Sequence, residues 1–306
     1  MKRMTTRWCR RSLAVAVGAI AMTAIPGPVT GEVAAPLPLE AAQTMFYNGR
    51  YADAEAATRE LCTAAVVALP ACEVRTSALL FQLRRAIGES PDRDKAFTQC
   101  EACPALLSIF VAETRRSQAI ARTYLKANPA DEETLFLLGK LDLNYVWLQL
   151  GTLGRKTGWD EYWEARRSLD QVLKLNPGHV RAKIARAWID YIVDTKMPRG
   201  TRWLLGGGSK KRGLKAVREA AMTDGDFFVR AEAGFALWDM QVRERNIAGA
   251  LETARRLAVD FPENVDVRKF LMTYDTADEA ARRQPVATLA TVLSTSNRNA
   301  LIAFSR

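Results

Sequence analysis

The chain has 306 residues, of which 48% are hydrophobic and 25% charged, so it can form a large core and is not a wholly disordered protein. Its formal net charge of +10 at first suggests a nucleic-acid-binding protein, but half of that charge lies in residues 1–31, which contain five basic residues and no acidic one. The rest of the chain is only modestly basic, and we therefore expect no nucleic-acid partner.

The N-terminus has the three parts of a secretory signal peptide. A basic stretch over 1–11 is followed by an apolar run over 12–25 and a boundary of small residues that ends at Gly31. The apolar run is shorter than the ~20 residues that a membrane-spanning helix needs. We therefore predict a signal peptide over 1–31, with an uncleaved anchor as the alternative.

Cys9 precedes the apolar run and so cannot be a lipoprotein's acylated cysteine. We expect a periplasmic or otherwise exported protein with no stable membrane span after cleavage.

Four cysteines follow the predicted signal peptide, and an even number in an exported chain indicates two disulfides. Of the three possible pairings we predict Cys62–Cys72, which closes the connection between two helices, and Cys100–Cys103. A zinc site and a thioredoxin-like redox pair are the alternatives. The separation of Cys62 and Cys72 is wide for a zinc ligand pair, and a redox pair needs a strand before its helix, whereas these surroundings have helical periodicity.

Nearly every segment after Pro38 has the apolar spacing of a helix, and prolines separate the periodic runs. The connections are short, which favours neighbouring helices packed as hairpins. The predicted helices cover residues 39–48, 51–66, 72–88, 91–101, 104–126, 131–153, 159–175, 180–194, 209–221, 227–243, 247–260 and 264–283.

Internal patterns recur within these helices. In the segment 48–54, Gly49 supplies a tight turn, Tyr51 fills the gap between two helices and Ala54 permits their close approach. Three segments that end at a proline carry small or bulky residues 12, 8 and 5 positions before it. These are Ala165, Leu169 and Val172 before Pro177, Ala250, Ala254 and Leu257 before Pro262, and Ser117, Ala121 and Tyr124 before Pro129.

These segments resemble the tetratricopeptide repeat, a helical hairpin that stacks into a superhelix. The resemblance implies an all-α fold, a right-handed α–α solenoid of tetratricopeptide-like hairpins. We divide it into N-terminal hairpins over 32–130, a solenoid over 131–283 and a C-terminal tail over 284–306.

A second resemblance covers residues 135–272. Its features are a long aromatic-rich helix, the loop that runs from Met197 to three glycines at 206–208, and the segments 211–214, 231–233, 243–244 and 261–264. This region looks like the T component associated with tripartite (TRAP) periplasmic transporters. The resemblance implies an exported, non-enzymatic, α-helical protein that accompanies a solute transport system. Members of that family are lipoproteins, and this chain lacks the lipidation cysteine.

The residues that usually carry catalysis are scarce. The chain has one histidine, and it contains no nucleophile-elbow, phosphate-loop or zinc-protease motif. We therefore predict no catalytic residues, no metal site, no cofactor and no enzymatic activity.

The stretch 196–218 holds eight basic residues and no acidic one. Its three glycines precede a predicted helix start, where backbone amides and the helix dipole favour anions. One hypothesis is therefore an anionic ligand or partner, and the alternative is a solvated basic loop with a glycine hinge. The candidate residues are Arg199, Arg202, Trp203, Ser209, Lys210, Lys211 and Arg212.

Glu232 falls within an apolar stripe on the predicted helix 227–243. A carboxylate there is either paired in the interior or turned toward a cleft, and the sequence leaves both open.

As a whole, the sequence predicts a binding scaffold whose concave face holds a protein or peptide partner. The alternative is a transport accessory that resembles the T component.

Overall fold

Helices make up almost all of the chain that the computed structural model describes, namely residues 38–64, 68–88, 90–223 and 225–283. These residues lie in one compact unit, and no strand occurs among them, which confirms the all-α prediction. The predicted signal peptide and C-terminal tail lie outside the described residues. In chain order the helices are α1 (Pro38–Tyr47), α2 (Tyr51–Thr63), α3 (Leu69–Ile87), α4 (Arg93–Gln99), α5 (Cys103–Ala127), α6 (Glu132–Val146), α7 (Trp159–Leu175), α8 (Val180–Lys196), α9 (Lys210–Ala221), α10 (Phe227–Arg243), α11 (Ile247–Asp260) and α12 (Val265–Arg283).

The largest departure from the predicted bounds follows α6, where one helix is expected to continue to residue 153. Instead, α6 ends at Val146 and a wider π-helical turn covers Trp147–Thr152. The Leu153 amide donates to the Leu148 carbonyl, five residues back, at 2.8 Å. In a regular α-helix, side chains five positions apart point about 140° apart. The wide turn brings Leu148 and Leu153 to one side, and both are buried in the core with α3 and α5.

The helices pack as neighbouring pairs in sequence order. The pairs are α1 with α2, α3 with α5, α6 with α7, α8 with α9 and α10 with α11, and the short α4 is inserted between α3 and α5. Successive pairs also contact one another, as α3 does α6 and α8 does α10. Since α6 packs on both α3 and α5, the described chain continues across residue 130 as one stack. The structure is thus a solenoid of helical hairpins.

The repeated positions of the sequence lie where hairpin packing requires them. Gly49 makes the turn between α1 and α2 with a φ of +77°, and Tyr51 and Ala54 are buried behind it. Nine residues lie 12, 8 or 5 positions before Pro129, Pro177 or Pro262. All of them are buried except Tyr124, which is 48% exposed near the end of α5.

Three hairpins have a glycine where their two helices cross. A Cβ at Gly139 of α6 would lie 3.0 Å from the Leu169 side chain on α7, and one at Gly234 of α10 would lie 3.0 Å from Leu257 on α11. The closest approach is in the α8–α9 pair, where a Cβ at Gly213 would lie 2.7 Å from a backbone carbonyl oxygen of α8. Glycine therefore sets the spacing of these helices.

We expect Gly213→Ala to lower the free energy of unfolding by about 1–3 kcal/mol, because the added methyl forces α8 and α9 apart. This cost outweighs the gain of about 1 kcal/mol that alanine brings within a helix. Urea denaturation measures the difference. Gly200→Ala is the matched control, because a Cβ there has no neighbour within 4 Å. Equal stability of the two variants would contradict the crossing as the reason for Gly213.

The solenoid bends so far that its first hairpin contacts its last. The Glu263 amide donates to Asn48 Oδ1 at 3.1 Å, and Asn264 Nδ2 donates to the Tyr47 carbonyl at 2.7 Å. The Tyr47 ring stacks on Phe235 of α10 with ring centroids 5.5 Å apart. These contacts close the array, so helices from non-adjacent hairpins meet in its middle.

Both predicted cysteine pairs lie at disulfide distance. The S–S separations are 2.08 Å for Cys62–Cys72 and 2.05 Å for Cys100–Cys103. The first bridge joins the end of α2 to α3, and the second joins the residue after α4 to the start of α5. Disulfides are typical of oxidising, extracytoplasmic compartments.

Replacing Cys62 and Cys72 by alanine is expected to cost about 2–3 kcal/mol of unfolding free energy, since the bridge restricts the unfolded chain. The double replacement of Cys100 and Cys103 is the control. This double replacement should lower the unfolding free energy by less, because Cys100 and Cys103 are only three positions apart and their bridge closes a very short loop. Urea denaturation of both variants under non-reducing conditions gives the comparison. A larger loss for the 100–103 pair would contradict the expected order.

None of the described helices is both long and apolar enough to cross a bilayer.

Candidate functional site

Four charged side chains meet in the middle of the solenoid, and we call them the central charge cluster. They are Glu73 of α3, Lys140 of α6, Arg181 of α8 and Glu232 of α10. Each comes from a different hairpin. Each carboxylate contacts both cations, so the four groups form a closed ring of alternating charge.

The distances show that Glu232 is the best-paired member of the cluster. Its two oxygens accept hydrogen bonds from Lys140 Nζ at 2.7 Å and from Arg181 Nε at 2.8 Å. Glu73 lies farther from the same cations, 3.6 Å from Lys140 Nζ and 3.4 Å from Arg181 Nη2. Glu73 also accepts a hydrogen bond from the Ser77 hydroxyl at 3.1 Å.

The pKa of Glu232 reflects two opposing effects. Burial disfavours the charged carboxylate and by itself raises the pKa, but Lys140 and Arg181 outweigh it and lower the pKa to about 2. The same contacts hold Lys140 protonated, since burial lowers its pKa while Glu232 and Glu73 raise it more. Glu232 and Lys140 are therefore both ionised near neutral pH.

Of the two interpretations of Glu232, the structure therefore shows the interior ion pair. The side chains of Glu73 and Glu232 are 7% and 12% exposed, whereas Lys140 is 19% and Arg181 is 24% exposed. The Arg181 guanidinium also lies over the Phe136 ring, 4.5 Å from its centroid. The two cations thus retain somewhat more side-chain exposure than the two carboxylates, and all four side chains are mostly buried.

The cluster contains a hydrogen-bond donor that its own carboxylates do not use. Arg181 donates through Nε and Nη2 to the two carboxylates, and its Nη1 has no protein acceptor among the described residues. An arginine fork held in place by two carboxylates is suited to a further carboxylate from a ligand.

The basic stretch 196–218 has a carboxylate of its own at the helix start where the sequence predicts an anion. Asp194, near the end of α8, accepts a hydrogen bond from the Lys210 amide at 2.8 Å and forms an ion pair with Arg202. Ser209 caps the same helix start, since its hydroxyl accepts from the Arg212 amide at 3.3 Å. An external anion would therefore compete with Asp194.

Two more cations of this stretch have partners. Lys210 Nζ lies 2.6 Å from Glu244, and Arg212 lies 3.9 Å from Asp190. Arg199 and Lys211 are exposed and have no carboxylate within 4 Å among the described residues. The predicted residues are thus divided between internal ion pairs and a free surface.

The glycines of this stretch have packing roles. Arg166 of α7 donates to the Leu205 carbonyl at 2.9 Å and to the Gly206 carbonyl at 2.7 Å, and a Cβ at Gly206 would overlap its guanidinium. At Gly208 a Cβ would lie 2.6 Å from the Asp190 carbonyl oxygen. The loop therefore packs against α7 and α8 at Gly206 and Gly208.

A second buried carboxyl, Asp142 of α6, gives no signal in the sequence. Its Oδ1 accepts from Gln118 Nε2 at 2.7 Å, and its Oδ2 has no hydrogen-bond partner among the described residues. Arg122 pairs with the neighbouring Glu164 and lies 3.8 Å from Asp142. Burial, helped by the charge of Glu164, raises the pKa of Asp142 to about 9. Burial and the neighbouring Glu164 therefore favour the protonated form of this carboxyl.

The single histidine has a structural role. His179 precedes α8, and its Nδ1 accepts a hydrogen bond from the Ala182 amide at 3.0 Å, which makes it the N-cap of that helix. Its ring packs against Phe136, with centroids 4.8 Å apart.

Among the described residues, no group of three or more His, Cys, Asp or Glu side chains is placed to hold a metal ion. No protein-family model, no curated protein and no solved structure matches this chain.

Proposed function

We propose that this protein is an exported, non-enzymatic scaffold of tetratricopeptide-like hairpins that binds a partner protein or an extended peptide on its inner face. The observation that carries the proposal is the central charge cluster. Four hairpins each supply one charged side chain to a single point, and the two cations keep part of their surface exposed.

The recognition we propose is by preformed polar anchors. Arg181 Nη1 donates to a carboxylate of the partner, while Lys140 adds positive charge beside it. Because Glu73 and Glu232 already hold both cations in place, binding orders few side chains and so costs little entropy. No bond is made or broken in this mechanism.

The proposed location is the periplasm or another exported compartment. Two cysteine pairs at disulfide distance support it, since such bridges persist in oxidising surroundings. The predicted signal peptide over 1–31 supports it from the sequence.

The alternative proposal is an accessory of a periplasmic solute transport system, similar to the T component. Three of the four cluster residues, Lys140, Arg181 and Glu232, lie within the segment 135–272 that resembles that family. In this role the cluster would bind a solute-binding protein or its carboxylate-bearing solute.

The test is crosslinking and pull-down from the native envelope fraction, with three forms of the protein as bait. They are the wild type, the double variant Lys140→Met with Glu232→Met, and the control Lys215→Gln with Glu219→Gln. Both double variants keep the net charge. The first removes one ion pair of the cluster, whereas the second removes an exposed pair on α9.

We expect one partner to be captured by the wild type and the control, and its recovery to fall at least about 10-fold with the cluster variant. A transporter subunit or solute-binding protein as that partner would select the alternative role. Equal recovery with all three baits contradicts the proposed site. Turnover of an envelope polymer that a single carboxylate substitution abolishes would show an enzyme instead.

A further inference from the structure

Two large apolar side chains protrude from the connection between α8 and α9. Trp203 is 72% and Leu204 is 52% exposed, in a short 3-10 helix over Arg199–Leu205 that we call the loop tip. Exposed tryptophan is unusual on a protein surface that faces only water.

The loop tip is bonded to the helices on both sides of it in spite of this exposure. The Tyr162 hydroxyl and the Arg166 guanidinium, both from α7, donate to the Leu205 carbonyl at 2.9 Å. On the other side, Arg202 pairs with Asp194 and donates to the Met197 carbonyl at 3.1 Å. The fold thus fixes Trp203 and Leu204 in the position that exposes them.

Unpaired positive charge lies in the same connection as these two side chains and at the start of the helix that follows. Lys196 and Arg199 precede them within the same connection, and Lys211 follows at the start of α9. All three are exposed and have no carboxylate within 4 Å among the described residues. Asp194 bonds to both Arg202 and the Lys210 amide, so the loop tip and the start of α9 lie at the same end of the α8–α9 hairpin.

We propose that the loop tip docks on the surface of an anionic phospholipid bilayer. Trp203 and Leu204 insert at the level of the headgroups, where tryptophan is favoured, and Lys196, Arg199 and Lys211 contact the lipid phosphates. The protein then attaches peripherally, without a membrane span.

The shape of the site favours a bilayer over an acidic protein. A stable protein interface buries about 800 Å² per partner with close shape complementarity. The loop tip is a seven-residue element that offers two exposed large apolar side chains, far less than such an interface needs. A bilayer accepts a protruding tryptophan without a complementary surface, and cations on flexible side chains adapt to its phosphates.

This inference does not depend on the proposed partner at the central charge cluster, which involves other residues and other helices. Either can fail while the other stands.

Sedimentation with lipid vesicles tests the inference. The protein used lacks residues 1–31, because that basic and apolar segment would itself bind lipid; it retains the entire compact unit that begins at Pro36. We expect binding to vesicles of phosphatidylcholine with about 30% phosphatidylglycerol, little binding to phosphatidylcholine alone, and release by about 0.5 M salt. The double variant Trp203→Ser with Leu204→Ser should bind at least about 10-fold more weakly.

The charge variant is Lys196→Ser with Arg199→Ser and Lys211→Ser, which should bind roughly 30- to 100-fold more weakly. Its matched control removes three exposed cations elsewhere, through Arg115→Ser with Lys126→Ser and Lys174→Ser. Met222→Ser is the control for loss of an exposed apolar side chain. Both controls should bind as the wild type does. Circular dichroism confirms that every variant is folded.

Tryptophan fluorescence gives an independent measurement. Brominated lipids should quench the wild type and quench Trp203→Phe much less, although this variant still binds. The inference is overturned if the wild type ignores anionic vesicles, if the two charge triples lose binding equally, or if the tip captures an acidic protein while vesicles leave it unbound.

Discussion

Replacing Glu232 by glutamine is expected to lower the free energy of unfolding by about 3–5 kcal/mol, the usual cost of removing one partner from a buried ion pair. The variant leaves Lys140 and Arg181 with Glu73 alone, and Glu73 lies 3.4 Å from Arg181 and 3.6 Å from Lys140. Two positive charges then repel each other in a site with little water. Urea denaturation at pH 7 measures the loss.

The stability that Glu232 contributes should depend on pH in a definite direction. The pKa of Glu232 is lowered from 4.5 to about 2 in the folded protein. Its contribution to stability is therefore fully present above pH 4.5 and is lost as the pH falls toward 2. The difference in stability between the wild type and Glu232→Gln should shrink over that window.

Two further variants separate the charge from the loss of a side chain. Glu219→Gln removes an exposed carboxylate of α9 and should change the stability by less than about 1 kcal/mol. Lys140→Met combined with Glu232→Met should recover most of the loss, because an apolar pair leaves no unpaired charge there. If the double variant were no more stable than Glu232→Gln, the pairing would not be the reason for the cost.

Replacing Asp142 by asparagine is expected to stabilise the protein at neutral and alkaline pH. Asparagine has the shape of the protonated carboxyl, still accepts from Gln118 and can donate toward Glu164. The wild type must instead keep a proton on Asp142 or bury an uncompensated charge.

The sign follows from a pKa that rises from 3.8 to about 9 on folding. Between these values the unfolded chain has lost the proton that the folded protein retains. The unfolding free energy of the wild type therefore falls as the pH rises, by up to about 1.4 kcal/mol per pH unit. An amide at this position does not titrate, so the advantage of Asp142→Asn should grow by on the order of 3 kcal/mol between about pH 5 and pH 8.

Thermal and urea unfolding across this pH range tests the expectation. Asp160→Asn, at an exposed position in the first turn of α7, is the control and should keep the slope of the wild type. A variant Asp142→Asn with an unchanged slope would show that Asp142 is ionised in the folded protein. Glu232 makes stability rise with pH only up to about its unfolded-state pKa of 4.5, and Asp142 makes it fall above 3.8, so the two carboxyls by themselves place maximum stability at about pH 4.

The helices and both cysteine pairs could be predicted because they depend on residues close in the chain. Cys62 and Cys72 are ten residues apart, and Cys100 and Cys103 are three apart. Glu232 was identifiable as a carboxylate within an apolar stripe, but its partners were not. The sequence analysis missed Glu73, Lys140, Arg181 and Asp142, since a charged residue on a helix ordinarily lies on the solvent face.

For the basic stretch 196–218, too, the sequence did not show which charged residues are paired. Eight basic residues without an acid in sequence predict a positive surface, yet Asp190, Asp194 and Glu244 approach several of them from α8 and the region after α10. Only the positions of these carboxylates separate the paired Arg202 and Lys210 from the free Arg199 and Lys211.

The amino-acid sequence alone determined the helices, their pairing into hairpins and the local turns, because each depends on apolar periodicity and short connections. The tertiary structure decided the rest. Arg181 and Glu73 are 108 residues apart, and Asn264 bonds to Tyr47 across 217 residues. Such contacts exist only because the solenoid bends until its ends meet, and that bend is the sum of small crossing angles between many helices, which no local pattern specifies.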